Sequence, residues 1–582
     1  MHELEKSESL FELLKSCQLG ESGSIVGSHL DRNQLRKELY VRTEQDRLVE
    51  EFFVENFQAD GKLLILTGSA GDGKSALLSR AYEEAKNAGI SELTPDCVHM
   101  DATASTKKHE TYVEELASFL DTVVAEQPTG GPRKGLAINL GLAIDFFDRQ
   151  GMAEDYPEIW NAIDAVRSSP ESATDDVHAI NLSHRQTYET APDHLGEGLL
   201  QEIADRFDVS DPESPFYDAY QHEVENCPAG TNCPLRYNVE QFSDPAVRNR
   251  VVELIAASSI LHNGYLNPRE ILHQISSLLL PQPLQAYDHP DTTCPIGTAV
   301  NYNAKIESEG LIWNALFTQL DGDDPTQNSY LDPAALAGLE TDQQILNWTA
   351  DDESLSDALG KTPDISWTSR SDKIRTVLRQ RYLREGLGEK PLPEWSWFDE
   401  FAGALSYLQL ENPEDASDQI KEHTQNLFRT VKQALRGWTG YARQSNQIEF
   451  VDGVRSTDYR FLSEWTDPKI DPVASSEYTR AESLPGQLWI VLKPHQTQTQ
   501  QNTIPVPIRF GLYLLMKRII RGYSPNSRDL EQSEGIRLIH SRLSEFTQKD
   551  QTVSVIDKSE EILVHLERGE LGRIDVSSGG NP

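Results

Sequence analysis

The sequence predicts an α/β fold followed by a mixed α+β region, and three observations carry this prediction. Between about residues 63 and 181, short apolar runs alternate with amphipathic segments, which is typical of parallel strands connected by helices. A glycine-rich segment separates the first of these runs from the helical segment after it. Near the C-terminus, residues 552–578 alternate apolar and polar side chains, which indicates strands.

The strands predicted in the first region are, in chain order, KLLILTG, CVHMDATAS, GLAINLG and DVHAINLSHRQ. The helices predicted between them include SALLSRAYEEAKNAG, which Gly89 ends, and ETYVEELASFLDTVVAEQ. In YLNPREILHQISSLLL, Asn267 suits a helix cap, Pro268 the first turn and Glu270 a capping box. We expect this helix to form a lid after the sheet. Further helices are predicted at SDQIKEHTQNLFRTVKQALRGW and RFGLYLLMKRIIRGY.

The chain of 582 residues is too long for one hydrophobic core, so we expect it to divide into several domains. The expected division is an N-terminal helical segment (1–45), an α/β domain with its lid (46–285), a mixed and mainly helical middle region (286–480) and a C-terminal α+β region (481–582). No stretch has the apolar length of a membrane span, and the N-terminus lacks the apolar core of a signal peptide. With only five cysteines, these features predict a cytoplasmic protein without a membrane partner.

Acidic residues outnumber basic ones by 93 to 53, which makes the formal net charge −40. The acids are spread along the whole chain, and this distribution is typical of proteins from salt-accumulating halophiles. Molar salt shortens the Debye length to roughly 3 Å, so self-repulsion largely disappears under those conditions. The alternative is an acidic protein that repels nucleic acid. Because adaptation to salt also accounts for the charge, the net charge does not exclude a role on DNA.

The segment LLILTGSAGDGKSALL, residues 63–78, contains the phosphate-binding pattern G-x-x-x-x-G-K-[ST]. Glycines let backbone N–H groups converge on phosphate oxygens, and the start of the following helix adds a positive dipole end. We expect Lys74 to reach the β- and γ-phosphates of ATP and Ser75 to hold Mg²⁺. The residues predicted to bind the nucleotide are Gly68, Ser69, Ala70, Gly71, Asp72, Gly73, Lys74, Ser75 and Ala76.

ATP hydrolysis also requires an acid that holds Mg²⁺ and orients water, and no apolar run followed by two acids is present in the sequence. Asp101, at the end of CVHMD, and Asp121, in FLDTVV, are candidates, and a structural role is the alternative for each. Asn139 ends the strand GLAIN and is a candidate to contact the γ-phosphate or its water, or to cap a turn. Arg269 is predicted to reach the nucleotide from the lid, or to make a surface ion pair.

The segment HEVENCPAGTNCPLRY places Cys227 and Cys233 around a Pro-Ala-Gly turn. Together with Cys294, and with His289 nearby, these cysteines form a candidate zinc site. Their spacing is wider than the usual zinc-binding gap, so cysteine-proline turns that serve packing are the alternative interpretation.

A family resemblance rests on five segments in chain order: LLILTGSAGDGKSALLSRAY, HMDATAS, GLAINLG, LNPREILHQI and RIIRGYSPNSRDL. These segments resemble the DptF family, the P-loop component of DNA phosphorothioation-dependent restriction. The similarity runs from about residue 35 to the C-terminus, with residues 150–215 and 340–400 divergent or expanded. It implies an AAA-like P-loop NTPase domain with a helical lid, and the family's phosphate-loop residues match Gly68, Gly73, Lys74 and Ser75.

The resemblance implies a subunit of a multi-protein system that restricts or excludes invading DNA lacking backbone sulfur, here in a haloarchaeal version. Its partners would include a translocase-like ATPase, with DNA contacted directly or through these partners, and oligomerisation stays open. The basic, aromatic-bearing segments RSDKIRTVLRQRYLREG and RFGLYLLMKRIIRGY are predicted to touch phosphates or to form solvated helix faces. The alternative function is a nucleotide-regulated switch or scaffold of the STAND type without efficient turnover. No nuclease motif is found in the sequence.

Overall fold

The structure is a computed structural model of the 582-residue chain. It describes residues 9–18, 32–55, 60–90, 93–100, 111–126, 131–167, 169–227, 229–262, 264–281, 306–320, 331–335, 339–363, 365–386, 393–410, 416–438, 447–449, 459–464, 468–472, 488–493, 504–523, 529, 534–539, 552–557, 561–568 and 573–578.

Helices make up most of the regular structure in the described part of the chain. In chain order they are α1 (Leu10–Ser16), α2 (Arg32–Leu39), α3 (Glu44–Glu50), α4 (Lys74–Asn87), α5 (Tyr112–Glu126), α6 (Leu140–Ile144), α7 (Pro157–Ala165), α8 (Leu199–Asp205), α9 (Tyr217–Asn226), α10 (Pro234–Phe242), α11 (Pro245–His262), α12 (Pro268–Leu279), α13 (Ile312–Leu320), α14 (Leu339–Ala350), α15 (Asp352–Leu359), α16 (Arg370–Glu385), α17 (Pro393–Gln409), α18 (Asp418–Gly437) and α19 (Phe510–Ile520).

Within the described residues, the strands fall into four sheets. In chain order they are β1 (Leu63–Thr67), β2 (Val98–His99), β3 (Lys134–Ala137), β4 (Glu171–Ala173), β5 (Val177–Asn181), β6 (Ile306–Glu307), β7 (Ile365–Ser366), β8 (Gln447–Glu449), β9 (Tyr459–Glu464), β10 (Lys469–Pro472), β11 (Leu488–Lys493), β12 (Ile504–Ile508), β13 (Val553–Asp557), β14 (Ile562–Arg568) and β15 (Ile574–Ser578).

The first sheet has the strand order β2-β3-β1-β5-β4. β2, β3, β1 and β5 are parallel, as the alternation of strands and helices predicts. The prediction of a parallel sheet is incomplete, because the edge strand β4 pairs antiparallel with β5. A tight turn joins these two strands, with the Thr174 N–H donating to the Val177 carbonyl at 2.8 Å, and such a turn permits only antiparallel pairing.

All five residues of β1 are buried, because β1 is central in the sheet and helices cover both faces. Leu63 and Ile65 belong to a core that also contains residues of α5 and α7. Leu64 and Leu66 belong to a second core with residues of α4, on the opposite face. This alternation is the two-residue period of a strand, and it holds the end of β1 in a defined position.

A helical layer follows the sheet and contains α8 to α12. Their buried residues share one hydrophobic core with α13, α17, α18 and α19 and with strands β11 and β12. As the sequence predicts, Asn267 caps α12: its side chain accepts the backbone N–H of Glu270 at 2.9 Å. Residues 552–578 contain strands, as the sequence predicts: β13, β14 and β15 belong to an antiparallel sheet of order β15-β14-β13-β9-β8. Among the described helices, none combines the length and apolar character that crossing a membrane requires.

Candidate functional site

The glycine-rich loop, defined here as residues 68–75, leaves the carboxyl end of β1 and enters α4. Gly68, Gly71 and Gly73 have φ values of +145°, +98° and +90°. Side chains rarely tolerate this backbone region, so the three glycines are required by the path of the loop. The carboxyl ends of central parallel strands are the usual ligand-binding edge of α/β sheets.

The loop ends at the N-terminus of a long helix. Gly73 is the N-cap of the 14-residue helix α4, and no acidic residue occurs in the first turn of that helix. The first N–H groups of a helix have no partner within it, and its dipole is positive there. The loop and the start of α4 therefore form a surface suited to a phosphate group.

Lys74 and Ser75, the first two residues of α4, both direct polar groups at the backbone near the loop. The Lys74 ammonium donates to the carbonyl oxygens of Gly68 at 3.2 Å and Ser69 at 2.6 Å. The Ser75 hydroxyl donates to the carbonyl oxygen of Met100, just after β2, at 2.6 Å. The Lys74 ammonium is thus folded over the loop. Ser75 is exposed, and its hydroxyl faces the end of β2.

Asp72 is fully buried, and its carboxylate is turned away from the loop surface into the protein. One carboxylate oxygen accepts the Ser69 N–H at 2.6 Å and the Ser183 hydroxyl at 2.7 Å. The other oxygen accepts the Tyr265 hydroxyl at 3.0 Å. Burial, reinforced by the charge of Asp72, raises the pKa of Tyr265 above its ordinary value, so the phenol remains a donor.

Helix α12, which the sequence predicts to be a lid, touches the loop at Gly71. A Cβ atom on Gly71 would lie 2.7 Å from Asn267 Oδ1 and 3.1 Å from Arg269 Cβ. Asn267 also directs its Nδ2 toward the Ala70 carbonyl, at 3.4 Å. The absence of a side chain at Gly71 is therefore what allows α12 to approach the loop this closely.

The structure places Asn139 next to the loop and the Cβ atom of Arg269 close to Gly71. Asn139 follows β3, the neighbour of β1, and its Oδ1 accepts the Gly141 N–H at 2.9 Å as the cap of α6. The next residue, Leu140, donates its N–H to the Gly68 carbonyl at 3.1 Å. Arg269 forms no ion pair with another residue in the described ranges.

The two acids considered from the sequence have different outcomes. Asp121 lies within α5, and its carboxylate accepts the Tyr156 hydroxyl at 2.7 Å, which is a packing role between helices. Asp101 lies outside the described residues, although it directly follows Met100 in the chain. Its assignment as a magnesium ligand stays a prediction.

Three residues that contact the loop were not identified from the sequence. Ser183 and Arg185 follow β5, and Arg185 donates from Nη2 to the Asp72 carbonyl at 3.0 Å. Tyr265 precedes α12, and its hydroxyl donates a hydrogen bond to the Asp72 carboxylate. The one sequence signal was the polar run after the apolar strand in HAINLSHR, since polar residues at the carboxyl ends of parallel strands share one edge.

Cys227 directly follows α9 and Cys233 is the N-cap of α10, so the two cysteines lie at the two ends of the connection between these helices. Cys294 and His289 lie outside the described residues. Within the part of the chain that the structure describes, no three His, Cys, Asp or Glu side chains are grouped as a metal site. The zinc site therefore stays a prediction.

The basic segments proposed to touch phosphates pack against aromatic and acidic neighbours. In α16, Arg379 pairs with Asp332 at 2.6 Å and lies 4.9 Å from the Phe317 ring centroid. After α19, Arg521 lies 4.4 Å from the Trp397 ring centroid. These cations stabilise helix packing, and contact of the segments with DNA stays a prediction.

A cavity of about 290 Å³ lies at the opposite edge of the first sheet, lined in part by Lys62, Arg133 and Val177. Lys62 precedes β1, Arg133 precedes β3 and Val177 begins β5, so this is the amino end of the strands. Ligands of open α/β sheets bind at the carboxyl ends, so the loop remains the candidate site.

Comparisons with protein-family models, with curated proteins and with solved structures find no match for this chain. The site is therefore interpreted from its own geometry.

Proposed function

We propose that this chain binds ATP with Mg²⁺ at the glycine-rich loop and hydrolyses it as a subunit of a phosphorothioation-dependent DNA restriction system. The observation that carries nucleotide binding is the loop itself. Three glycines with positive φ connect the central strand β1 to the N-terminus of α4, with Lys74 folded over them.

In this proposal the residues from Gly68 to Ala76 surround the phosphates, which are stabilised by the α4 dipole and by backbone N–H groups other than that of Ser69, which Asp72 accepts. The Lys74 ammonium exchanges the carbonyls of Gly68 and Ser69 for phosphate oxygens. The Ser75 hydroxyl, now on the Met100 carbonyl, is the group suited to hold Mg²⁺, which would neutralise developing charge on the phosphates.

Three further residues complete the proposed machinery. Asp101 is the proposed magnesium-binding acid, because it follows Met100, whose carbonyl already receives the Ser75 hydroxyl. Asn139, at the end of the neighbouring strand β3, is proposed to orient the attacking water. The Cβ atom of Arg269 lies close to Gly71, and Arg269 is proposed to contact the nucleotide from the lid.

The role in DNA restriction rests on the resemblance of GSAGDGKS, DATAS and GYSPN to the DptF family. The proposed partners are the other subunits of such a complex, including a translocase-like ATPase, and DNA contacted directly or through them. The charge of −40 supports a cytoplasm with high salt as the working environment.

A STAND-type switch is the second candidate, and one observation favours it. Asp72, the acid within the loop, is committed to Ser69, Ser183 and Tyr265. Among the described residues, Ser75 donates to a backbone carbonyl rather than to a carboxylate. A site of this kind would bind ATP and report its presence without efficient turnover.

The test measures ATP binding and steady-state turnover in molar KCl, with and without DNA and partner proteins. The wild type is compared with Lys74→Ala, Asp101→Asn and the control Lys86→Ala, which removes an exposed cation from the last turn of α4. Loss of binding in Lys74→Ala alone, with loss of turnover in Asp101→Asn, supports the ATPase. Binding without turnover in every combination supports the switch, and a wild type that binds no nucleotide contradicts both.

A further inference from the structure

Arg185 is held at the carboxyl end of β5, beside the place where the glycine-rich loop leaves β1. The two strands are parallel, and Thr67 at the end of β1 is paired with Asn181 at the end of β5. A 3₁₀ turn from Leu182 to His184 follows β5, and the Arg185 N–H donates to the Leu182 carbonyl at 3.1 Å. The backbone of Arg185 is therefore positioned by the sheet.

The turn before Arg185 is anchored by the side chain of Asn181. Its Oδ1 accepts the Ser183 N–H at 3.0 Å, and its Nδ2 donates to the Val166 carbonyl, just after α7, at 2.8 Å. Asn181 is buried, so these hydrogen bonds are shielded from water. The segment that follows β5 is therefore a firm base from which a side chain can hold the loop.

The Arg185 side chain reaches the end of the loop. Its Nη2 donates to the Asp72 carbonyl oxygen at 3.0 Å, and this carbonyl belongs to the peptide unit that joins Asp72 to Gly73. A trans peptide is planar, and its C=O and N–H groups point in opposite directions. The hydrogen bond from Arg185 therefore fixes the plane of this peptide and directs the Gly73 N–H away from the guanidinium.

The Gly73 N–H is the backbone donor that this contact orients. Among the residues that the structure describes, it has no hydrogen-bond acceptor. A Cβ atom on Gly73 would meet no atom within 4 Å, so the space beside this residue is open. Gly73 is also the N-cap of α4, where the helix dipole is positive. The oriented N–H is thus available to an anion at the start of α4.

The guanidinium of Arg185 is committed to the loop backbone. Within the described ranges it forms no ion pair, and its only hydrogen-bond acceptor is the Asp72 carbonyl. Its Nε is buried without a partner. Burial raises the pKa of the Tyr40 and Tyr265 hydroxyls, and the charge of Arg185 opposes this effect in both, which places the guanidinium near the two rings. A side chain that served only surface charge would not be held in this way.

We propose that Arg185 is a positioning residue of the nucleotide site, which holds the Asp72–Gly73 peptide so that the Gly73 N–H donates to a phosphate oxygen of the bound nucleotide. This inference rests on the proposed function of the loop. Arg185 stays on the Asp72 carbonyl and touches no phosphate itself. Its contribution is the same for ADP and ATP, because backbone N–H groups of such a loop bind the α- and β-phosphates that both contain.

The test is calorimetric titration of the full-length chain in molar KCl with ADP and with ATP, each with Mg²⁺. Arg185→Gln is expected to lower both affinities about tenfold and by the same factor, with about one site per chain retained, because one hydrogen bond to a charged group is weakened. Arg185→Lys keeps a cationic donor without the rigid fork of arginine, so we expect affinities about threefold below wild type. Arg149→Gln, the control, removes an exposed arginine that pairs with Asp145 and should change neither affinity.

Three results in the variants would overturn the proposal. A loss for ATP with ADP affinity retained would show that Arg185 contacts the γ-phosphate directly. Fewer sites per chain with unchanged affinity would show that Arg185 only stabilises the fold, and unchanged affinity and site number would show that its contact does not serve binding. A wild type that binds neither nucleotide contradicts the proposed function and this inference with it, and the wild-type titration distinguishes that failure from the other three.

Discussion

The glycine-rich loop and the segment from Cys227 to Cys233, called here the cysteine turn, share two local backbone features. Each contains left-handed glycine, Gly73 or Gly230, and each ends at the N-terminus of a helix, α4 or α10. In the cysteine turn the stabilised group belongs to the chain, because the Cys233 side chain and the backbone of Ala229 and Gly230 lower the pKa of Cys227 to about 6.

In the loop, by contrast, the chain's own carboxylate is kept away from the helix start. Asp72 is buried and satisfied by Ser69, Ser183 and Tyr265, so it does not fill the place suited to a phosphate. The comparison shows that similar backbone turns can leave a helix start without an acidic residue, as at α4, or lower the pKa of a nearby side chain, as at Cys227.

The largest expected effect comes from Asp72→Ala. This change leaves the Ser69 N–H and the hydroxyls of Ser183 and Tyr265 without their acceptor, and we expect the free energy of unfolding to fall by about 3 kcal/mol. Urea unfolding of the full chain measures this loss. Asp175→Ala, which removes an exposed acid before β5, is expected to change the unfolding free energy little. Equal losses in the two variants would contradict the role of Asp72.

Alanine substitutions at three glycines should separate crowding from backbone strain. Gly71→Ala adds both, because its Cβ meets Asn267 Oδ1 at 2.7 Å, whereas a Cβ on Gly73 or Gly230 meets nothing within 4 Å. We expect ATP affinity to fall about 100-fold for Gly71→Ala and about tenfold for Gly73→Ala. Gly230→Ala should leave it unchanged. Calorimetric titration of ATP measures the series, and a larger loss for Gly73→Ala than for Gly71→Ala would refute the lid contact.

The rate at which Cys227 in the cysteine turn is alkylated should depend on pH. Alkylation of Cys227 is expected to have its midpoint near pH 6, the pKa of its thiolate in the folded chain. Because this pKa is lowered on folding, the thiolate contributes stability above the ordinary thiol pKa, and this contribution is lost as pH falls through about 6. Cys233→Ala should raise the midpoint more than Arg236→Gln, since the Cys233 hydrogen bond is the largest cause. Rates of iodoacetamide labelling against pH provide the measurement.

The smallest effect is expected for Glu270→Gln. Burial, with the charge of Asp72 in addition, raises the pKa of Glu270, so the folded state holds this proton more tightly than the unfolded chain. The free energy of unfolding therefore falls as pH rises above the ordinary glutamate range, and the variant should lack this decline. Removing a negative charge beside the loop should also raise ATP affinity by about two- to fivefold. Urea titrations at several pH values, with Glu225→Gln on α9 as control, measure the first effect.

Much of the local structure could be predicted from residues that are neighbours in the chain. The positions of β1 and α4 follow from an apolar run, a glycine pattern and a helical period. Asn267, Pro268 and Glu270 predict the start of α12 because a helix cap depends on only four consecutive residues. The C-terminal strands were predictable in the same way, from alternation within each strand.

What only the tertiary structure decided is which distant residues meet. Asp72 accepts hydrogen bonds from Ser183, 111 residues away, and from Tyr265, 193 residues away, and no local pattern encodes either pair. The antiparallel edge strand β4 and the order of strands in the first sheet likewise depend on long-range pairing. By itself, the sequence determined a loop shaped for phosphate, because glycine conformation and helix starts are local properties. The tertiary structure decided that the Asp72 carboxylate is buried, because only packing brings the segments that contain Ser183 and Tyr265 to the loop.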